Sequence, residues 1–331
     1  MSFESVGIIG AGSWGTALAL LLHGNGIPIT LWGHDAERVR DIASRRENKI
    51  CLPGVALPAA LRLTPELREL RECDLLLVVT PSKAVREVAA RLSASGVRDG
   101  AVLLSCTKGV ERGSGLRMSE VIGEHFPDHP LAVLSGPSHA EEVARKMPTC
   151  VVLGCGDPSV ALKLQRAFTA PFFRAYTSDD IAGVEFGGAL KNIFALAAGA
   201  SDGLGLGDNA KAALVTRALV ELGRLGTALG GKRETFMGLS GVGDLMVTCF
   251  SRHSRNRAVG ERLGKGERLA DIVASMQMVA EGVPTTYSAF ECARKLGVET
   301  PIIDLVKAIL DGTVAPADAM ARLLGRDPKP E

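Results

Sequence analysis

The sequence predicts an α/β protein in which a doubly wound, mostly parallel sheet is followed by an all-helical C-terminal domain. Short runs rich in Val, Ile and Leu alternate with amphipathic stretches through the first half of the chain. From about residue 181 these runs fade, and long stretches rich in Ala, Leu and Gly replace them. Continuously apolar strands suit a sheet buried on both faces, and their alternation with helices is typical of βαβ units. We therefore expect two domains, residues 1–180 and 181–331.

Each predicted element is a run bounded by turn residues. The predicted strands are 6–10, 29–33, 74–80, 101–106, 131–136, 149–154 and 172–176. Amphipathic stretches at 83–94 and 157–168 predict helices that cover the sheet. In the second domain the predicted helices are 183–200, 209–229, 285–297 and 301–312. The last six residues, RDPKPE, are expected to be a frayed end.

The composition excludes several classes of protein. A formal net charge of +1 and only two tyrosines argue against a nucleic acid as the partner. Seven scattered cysteines, an odd number, indicate core residues of a reduced cytoplasm, and no His or Cys spacing suggests a metal site. Glu4 stands where a signal peptide needs positive charge, and no apolar stretch is expected to span a membrane. We therefore expect a soluble, cytoplasmic protein without a metal.

A glycine-rich turn follows the first predicted strand and opens a helix. It reads Gly10-Ala11-Gly12-Ser13-Trp14-Gly15. Gly10 permits a tight turn, Gly12 lets backbone amides approach a pyrophosphate, and Gly15 lets the helix pack close to the strand. A merely tight turn would require only one of these glycines. The motif therefore predicts an N-terminal Rossmann domain that binds NADP(H) or NAD(H) at a helix N-terminus.

The end of the second predicted strand bears on the choice between the two cofactors. In a site strict for NAD, an acidic residue here binds the ribose 2′-hydroxyl and would repel a 2′-phosphate. By the strand count this position is Gly33, while His34 and Arg38 can donate to a phosphate. Asp35 softens the preference, and a one-residue error in the strand end would make Asp35 the ribose ligand. We expect a dual-specificity site that leans toward NADPH.

Polar and cationic residues stand directly after three further predicted strands, in Thr80-Pro81-Ser82, Thr107-Lys108-Gly109 and Gly136-Pro137-Ser138-His139-Ala140. Ligands of open α/β sheets bind outside the carboxyl ends of the strands, so these loops are candidates for the site. Lys108 is either an ordinary surface lysine or a cation that meets a substrate oxygen. Ser138 caps the following helix, AEEVARK, or contributes to the site, or does both.

One lysine stands alone at the start of the helical domain, in EFGGALKNIFALAAGAS at 185–201. Lys191 is the only charged residue between Phe186 and Ser201. It either snorkels to water or is a partly desolvated ammonium, whose pKa would fall toward the range useful for proton transfer. A carbonyl reductase needs such a group, because hydride at carbon must be matched by a proton at oxygen. Asn192 adds an amide, and Asp244 is either a residue of a glycine-rich turn or orients Lys191 or a substrate hydroxyl.

A basic cluster lies in the run TCFSRHSRNRAVG at 248–260. It contains Arg252, His253, Arg255 and Arg257 in a protein of almost no net charge. An isolated basic run is ordinarily a solvated loop. The alternative is that the cluster binds an anion.

Together these segments resemble one family. GAGSWGTALA, TKG, LSGPSHAEEV, EFGGALKNI, GVGDLMVTC and SRNR occur in the order and at the approximate spacing of the bacterial-type NAD(P)-dependent sn-glycerol-3-phosphate dehydrogenases. The resemblance extends from residue 6 to about residue 310. It implies reversible reduction of dihydroxyacetone phosphate to sn-glycerol 3-phosphate, the precursor of the glycerophospholipid backbone.

The resemblance also assigns roles to residues. Lys191 is the implied proton donor and acceptor. In the mechanism we predict from these residues, Lys108 polarises a substrate oxygen, and Asp244 orients Lys191 and the substrate hydroxyls. The predicted substrate site comprises Lys108, Gly136, Ser138, Lys191, Asn192, Asp244, Ser254, Arg255 and Asn256. The predicted cofactor site comprises Gly10, Gly12, Ser13, Trp14, Gly15, His34, Lys108, Ala140, Arg255, Val279 and Glu281. The basic cluster is then interpreted as a phosphate clamp, defined as Ser254, Arg255 and Asn256, because a hydroxyl, a guanidinium and an amide suit a phosphate dianion.

Alternatives stay open. Arg252 and Arg257 either add to the electrostatic field or face solvent. A β-hydroxyacid dehydrogenase or ketopantoate reductase would share the same plan, although S-R-N-R suits a phosphate better than a simple carboxylate. A non-enzymatic nicotinamide sensor would bind cofactor without turnover. We expect a small phosphate metabolite as the partner; the oligomeric state stays open, a homodimer included.

Overall fold

A computed structural model describes residues 2–325, so the expected fraying of RDPKPE at 326–331 lies outside the described residues. The chain divides by its contacts into two compact units. Met1–Lys108 and Leu116–Glu185 form the first unit, and Gly109–Gly115 and Phe186–Glu331 form the second. Nothing in the sequence pattern indicates that Gly109–Gly115 groups with the later residues. The division of functional domains at residue 180 stays a prediction.

The first unit is built on one sheet. Its strands are β1 (Val6–Ile9), β2 (Ile29–Trp32), β3 (Arg62–Thr64), β4 (Leu75–Val78), β5 (Val102–Ser105), β6 (Leu131–Ser135), β7 (Thr149–Cys155) and β8 (Phe173–Ser178). Their order is β3-β2-β1-β4-β5-β6-β7-β8, and every neighbouring pair is parallel except β6 with β7. The predicted mostly parallel sheet is confirmed.

Helices cover both faces of this sheet, which makes it doubly wound. Along β4, Leu75 and Leu77 lie in one apolar core, while Leu76 and Val78 lie in the other. The helices of this unit are α1 (Ser13–Gly24), α2 (Ala36–Arg45), α3 (Val85–Ala94), α4 (Met118–Gly123), α5 (Ala140–Ala144) and α6 (Pro158–Phe168). Helices α1, α5 and α6 complete the first core, and α3 and α4 complete the second.

The regular structure of the second unit is helical, as predicted. Its helices are α7 (Ile181–Gly203, which begins in the first unit), α8 (Gly207–Ala228), α9 (Arg233–Phe236), α10 (Asp244–Phe250), α11 (Arg255–Gly264), α12 (Leu269–Ala274), α13 (Gly282–Leu296), α14 (Pro301–Leu310) and α15 (Pro316–Leu324). A π-helical turn, Leu239–Gly243, leads directly into α10.

Helix α7 corrects one expectation from the sequence. By length and composition it is apolar enough to cross a membrane, whereas no stretch of this kind was expected. However, 89% of its qualifying window is buried inside the structure. The charged side chains of Glu185, Lys191 and Asp202 all form ion pairs. These are the properties of a core helix, because its apolar surface is covered by protein and its charges are compensated.

Helices α7 and α11 pack with their backbones in contact. A Cβ atom at Gly199 would lie 2.0 Å from the carbonyl oxygen of Arg257, and one at Gly260 would lie 2.0 Å from that of Leu196. Gly203 and Gly264 are similarly close to the opposite backbone. The contacts advance in the same direction along both helices, so the helices run parallel. Glycine is required here because any side chain would separate the two backbones.

A buried carboxylate joins α8 to the start of α14. Glu221 accepts hydrogen bonds from the backbone N–H groups of Ile302 (3.0 Å) and Ile303 (2.9 Å). These N–H groups belong to the first turn of α14 and have no partner within their own helix. Burial raises the pKa of Glu221 to about 7 despite these two bonds.

Candidate active site

The glycine-rich turn lies between β1 and α1, where the sequence predicts it. Gly10 has a φ of +126°, and a Cβ atom there would lie 2.7 Å from the carbonyl oxygen of Val79. A Cβ atom at Gly15 would lie 1.9 Å from the carbonyl oxygen of Gly10. At Gly12, by contrast, an added Cβ atom would meet nothing within 4 Å. The turn is therefore closed on the strand side and open at Gly12.

This turn fits the pyrophosphate of a dinucleotide. No side chain caps the first turn of α1, which begins at Ser13 directly after Gly12. The N–H groups of an uncapped helix N-terminus are donors for a phosphate anion. Nε1 of Trp14 is also buried, and it has no hydrogen-bond partner among the residues that the structure describes. The residues present therefore suit the cofactor that the sequence predicts.

Three predicted substrate residues meet at the carboxyl ends of β5 and β6. Nζ of Lys108 and Oγ of Ser138 each donate a hydrogen bond of 3.0 Å to the carbonyl oxygen of Gly136. Gly136 has a φ of +126°, and a Cβ atom there would lie 3.0 Å from Cα of Val151. The capping role considered for Ser138 is wrong, because α5 begins at Ala140 with His139 in the N-cap position and no side chain caps it. The short bond to Gly136 holds the Ser138 hydroxyl at the strand end instead.

The loop after β2 is shaped around a glycine. A Cβ atom at Gly33 would lie 2.7 Å from Cγ2 of Val39, so an acidic side chain at this position would require the Val39 side chain to move. Asp35 caps α2 by accepting the backbone N–H groups of Glu37 and Arg38. The bond from the Arg38 N–H holds the pKa of Asp35 below its ordinary value. The Arg38 side chain contacts Sγ of Cys51 at 2.7 Å, whereas His34 is exposed.

In the second unit, Lys191 is buried and held by two side chains. Nζ of Lys191 forms an ion pair with Asp244 and donates to Oγ1 of Thr248 at 2.7 Å. Lys191 is 6% exposed and Asp244 only 1%. The snorkelling alternative for Lys191 is therefore wrong, because its ammonium ends on buried partners rather than in water.

Asp244 and Thr248 act from one helix. Asp244 is the first residue of α10 rather than part of a glycine-rich loop, since the π-helical turn Leu239–Gly243 precedes it. Thr248 lies one turn further along the same face and donates to the backbone carbonyl of Asp244 at 2.6 Å. Sequence reasoning missed Thr248. The signal available was its four-residue spacing from Asp244, which brings both side chains to one face of a helix.

A buried cysteine directly follows Thr248 in the chain. Cys249 is fully buried, and burial raises the pKa of its thiol to about 12. The thiol therefore stays protonated near neutral pH, and a thiolate nucleophile is excluded at this position.

The predicted phosphate clamp begins helix α11. Ser254 is buried, and its Oγ caps the helix by accepting the N–H of Arg257 at 3.2 Å. Asn256 is a bridge: its Nδ2 donates to Oδ1 of Asn192 at 2.8 Å, and its Oδ1 accepts the N–H of Gly282 at 2.8 Å. Each of these two side chains still keeps a hydrogen that it can donate.

The cations of the clamp region have different surroundings. Arg255 is exposed and donates to the carbonyl oxygen of Val279 at 3.0 Å, which brings together two residues of the predicted cofactor site. Arg257 contacts the carboxylate of Asp202, with Nε 2.6 Å from Oδ2, so the interpretation of Arg257 as a solvent-facing residue is wrong. Arg252 is exposed. Ala140 and Glu281, also predicted at the cofactor site, begin α5 and precede α13.

Among residues 2–325, no group of three or more His, Cys, Asp and Glu side chains is arranged to hold a metal ion. A Rossmann-type sheet with an open glycine-rich turn, followed by a helical unit with a buried lysine, is typical of a nucleotide-dependent oxidoreductase. Residues 5–161 match the family model for the NAD-dependent glycerol-3-phosphate dehydrogenase N-terminus, and residues 180–321 match that for the C-terminus. The chain belongs to the NAD-dependent glycerol-3-phosphate dehydrogenase family.

Individual relatives agree with this assignment. The chain is 48% identical to glycerol-3-phosphate dehydrogenase (NAD(P)+) of Geobacter sulfurreducens over 99% of both chains. It is 46% identical to the enzyme of the same name from Prosthecochloris aestuarii over 98% of both chains. The crystal structure of glycerol-3-phosphate dehydrogenase from Coxiella burnetii matches with a TM-score of 0.94 at 38% identity, covering 98% of this chain and 99% of that one.

A more distantly related structure shares only the fold with this chain. A ketopantoate reductase from Ralstonia eutropha JMP134 matches with a TM-score of 0.61 at 16% identity, covering 93% of this chain and 99% of that one. This similarity extends to the fold alone.

Proposed function

We propose that this chain catalyses the reversible reduction of dihydroxyacetone phosphate to sn-glycerol 3-phosphate with NADPH or NADH. The observation that carries the proposal is the buried ammonium of Lys191, held by Asp244 and Thr248 in the unit that also contains the phosphate clamp. Near full-length similarity to glycerol-3-phosphate dehydrogenases supports it. The product would supply the backbone of glycerophospholipids in the cytoplasm.

The first unit would bind the pyrophosphate of the cofactor. Gly10, Gly12 and Gly15 would hold its pyrophosphate at the N-terminus of α1. By resemblance to the family, the remaining cofactor contacts come from Ser13, Trp14, His34, Lys108, Ala140, Arg255, Val279 and Glu281. When bound, the reduced nicotinamide supplies the hydride that C2 of the substrate accepts.

Lys191 supplies the matching proton. The C2 carbonyl oxygen takes a proton from Nζ and becomes the product hydroxyl, and Lys191, left neutral, regains a proton from water. In the reverse direction neutral Lys191 removes the hydroxyl proton. Asp244 and Thr248 orient Nζ, because both contact it directly. Lys108, positioned by its bond to Gly136, polarises the substrate oxygen.

The phosphate group would be bound by the clamp. Arg255 contributes a guanidinium charge, while Ser254 and Asn256 contribute the donor hydrogens that their structural bonds leave available. Gly136 and Ser138 complete the substrate site by resemblance to the family.

The site would accept both nicotinamides and prefer NADPH. The packing of Val39 against Gly33 supports this preference, because it disfavours the acidic side chain that would repel a 2′-phosphate. The kcat/KM values for NADPH and NADH test it directly. A ratio that clearly favours NADH would make Asp35 the ribose ligand and would leave the substrate assignment intact.

The decisive experiment is oxidation of NADPH with dihydroxyacetone phosphate as the only acceptor, followed by the absorbance of NADPH. We expect saturable turnover with this substrate and poor turnover with unphosphorylated dihydroxyacetone. Activity on ketopantoate instead would reassign the chain to the ketopantoate reductase type. Binding of NADPH without turnover of any ketone would favour a sensor. Size-exclusion chromatography with light scattering then determines the oligomeric state, which the sequence left open.

A further inference from the structure

One cation of the basic cluster, Arg257, belongs to an ion-pair network. Oδ2 of Asp202, near the end of α7, lies 2.6 Å from Nε of Arg257 on α11. The same oxygen accepts a hydrogen bond of 2.8 Å from Nζ of Lys211 on α8. Lys211 is only 6% exposed, so the single carboxylate of Asp202 is shared between one well buried cation and one partly buried cation.

The network fastens the first turn of α11. Arg257 directly follows Arg255 and Asn256 of the clamp. The backbone carbonyl oxygen of Arg257 packs on Gly199 of α7. Glu261, one turn further along, also approaches Arg257, at 3.5 Å. The guanidinium therefore joins the clamp turn to the end of α7 through charge as well as backbone contact.

A second connection lies about three turns earlier on α7. Nδ2 of Asn256 donates to Asn192, the residue after Lys191. Helix α7 thus carries the ammonium of Lys191 near its middle and the carboxylate of Asp202 near its C-terminal end. With two connections between parallel helices, α11 cannot slide or rotate against α7 without breaking one of them. The placement of the clamp relative to the proton donor depends on both.

We propose that Asp202 is a positioning residue, which through Arg257 and Lys211 holds Arg255 and Asn256 where the substrate phosphate binds. This inference rests on the proposed function. Asp202 touches neither substrate nor cofactor in this role. It sets the affinity for the phosphate group rather than the rate of proton transfer, because Lys191 is held independently by Asp244 and Thr248.

If Arg257 binds the phosphate directly, removal of Asp202 should change the affinity for phosphate in the opposite direction. If Arg257 were itself a phosphate ligand, Asp202 would compete with the substrate for its charge. Removing the carboxylate would then free Arg257 and strengthen phosphate binding. If Asp202 positions the turn, removing it leaves Lys211 without this ion-pair partner and Arg257 with Glu261 alone, so the two neighbouring cations repel each other and move the turn.

The test is the pair of variants Asp202→Asn and Arg257→Gln in the full chain, assayed with NADPH and dihydroxyacetone phosphate. For each variant we expect KM for the phosphate substrate to rise about tenfold. A change of this size corresponds to the coupling energies found between residues of one ionic network. We expect kcat to stay within about threefold, as for an interaction equally strong in ground and transition states. The double variant should cost little more than either single variant. Arg257→Lys, which keeps the charge, should retain most of the affinity.

Asp304→Asn is the matched control. Asp304 on α14 also pairs with an arginine, Arg294, in the same unit. Its loss should lower thermal stability without raising KM for the phosphate substrate. Arg257→Gln leaves Asp202 paired with Lys211 and therefore covers the case in which Asp202→Asn fails to fold.

The outcomes separate this inference from the proposed function. An unchanged or lower KM in Asp202→Asn, with wild type active, overturns the positioning role alone. So does a rise in KM of equal size in Asp304→Asn. Binding of sn-glycerol 3-phosphate by calorimetry repeats the comparison without turnover. A wild-type protein that neither reduces dihydroxyacetone phosphate nor binds the product overturns the proposed function, and this inference with it.

Discussion

Replacing Lys191 by methionine separates the two roles of its ammonium. Methionine keeps the unbranched side chain but leaves the carboxylate of Asp244, which is 1% exposed, without its cation. Breaking a buried ion pair from one side costs about 3–5 kcal/mol of folding free energy. Loss of a positioned acid and base costs about 10²–10⁴ in turnover. We therefore expect Lys191→Met to be both inactive and destabilised.

The double variant Lys191→Met/Asp244→Asn removes both charges together. We expect most of the stability to return, because no charge is left buried, while activity stays lost. Thermal unfolding followed by circular dichroism measures the first effect. Tm falls by about 2–4 °C for each kcal/mol of folding free energy lost, so we expect the Tm of the single variant to fall by about 10 °C.

Two further measurements complete this experiment. NADPH oxidation measures turnover, and quenching of protein fluorescence measures cofactor binding, which we expect both variants to retain. Near-native turnover in Lys191→Met would remove Lys191 from the proton-transfer role. Equal stability of the single and double variants would refute the reasoning that Lys191 compensates a buried charge.

Three other perturbations test separate parts of the molecule. Arg255→Ala should raise KM for dihydroxyacetone phosphate about tenfold, which is the lower end for loss of a charge-assisted bond because Arg255 is exposed. The same variant should change KM for unphosphorylated dihydroxyacetone little. An equal effect on both substrates would contradict the phosphate clamp. Gly15→Ala should abolish NADPH binding in a fluorescence titration, because its Cβ atom would lie 1.9 Å from the Gly10 carbonyl oxygen, while Gly24→Ala, at a position on the same helix with open space, should bind normally. Because the pKa of Glu221 is raised in the folded state, this residue contributes on the order of 3 kcal/mol of folding free energy below about pH 4.5, and the contribution is lost as the pH rises through about 7. Glu221→Gln should remove this pH dependence from the free energy of unfolding measured in urea. Stability profiles against pH that run parallel for wild type and variant would contradict it.

The strands were predictable where the hydrophobic effect alone decides them. β4 and β5 are buried on both faces and read as continuous apolar runs. β3 was missed because it has only three residues, begins with exposed Arg62 and lies at the sheet edge. The antiparallel direction of β7 was not predictable, because its composition is that of a parallel core strand and direction depends on the connection.

The helices around the site were harder to predict. Sequence reasoning interpreted the glycines near Asp244 as turn residues, whereas they form a π-helical turn that continues into α10. Gly241 requires no side chain because a Cβ atom there would lie 2.0 Å from the carbonyl oxygen of Phe236. Glycines that serve close backbone packing and glycines that serve turns look alike in a sequence. The contact of Lys191 with Asp244 was foreseen, but Thr248 was not, because the helix that aligns it was not predicted.

The basic cluster illustrates why residue type alone does not assign a ligand. Four cationic or ionisable side chains within six residues suggest one strongly positive site. Arg257 instead pairs with Asp202 and Glu261, and Arg255 is bonded to the Val279 carbonyl, which neutralises no charge. The net positive field at the start of α11 is therefore closer to that of Arg255 and exposed Arg252 than to that of the whole cluster. Because an exposed guanidinium is screened by solvent, selectivity for a phosphate must also depend on the geometry of Ser254 and Asn256. That geometry is fixed by the helix cap and by the bridge from Asn192 to Gly282, both of which lie outside the charged residues that first drew attention to the cluster.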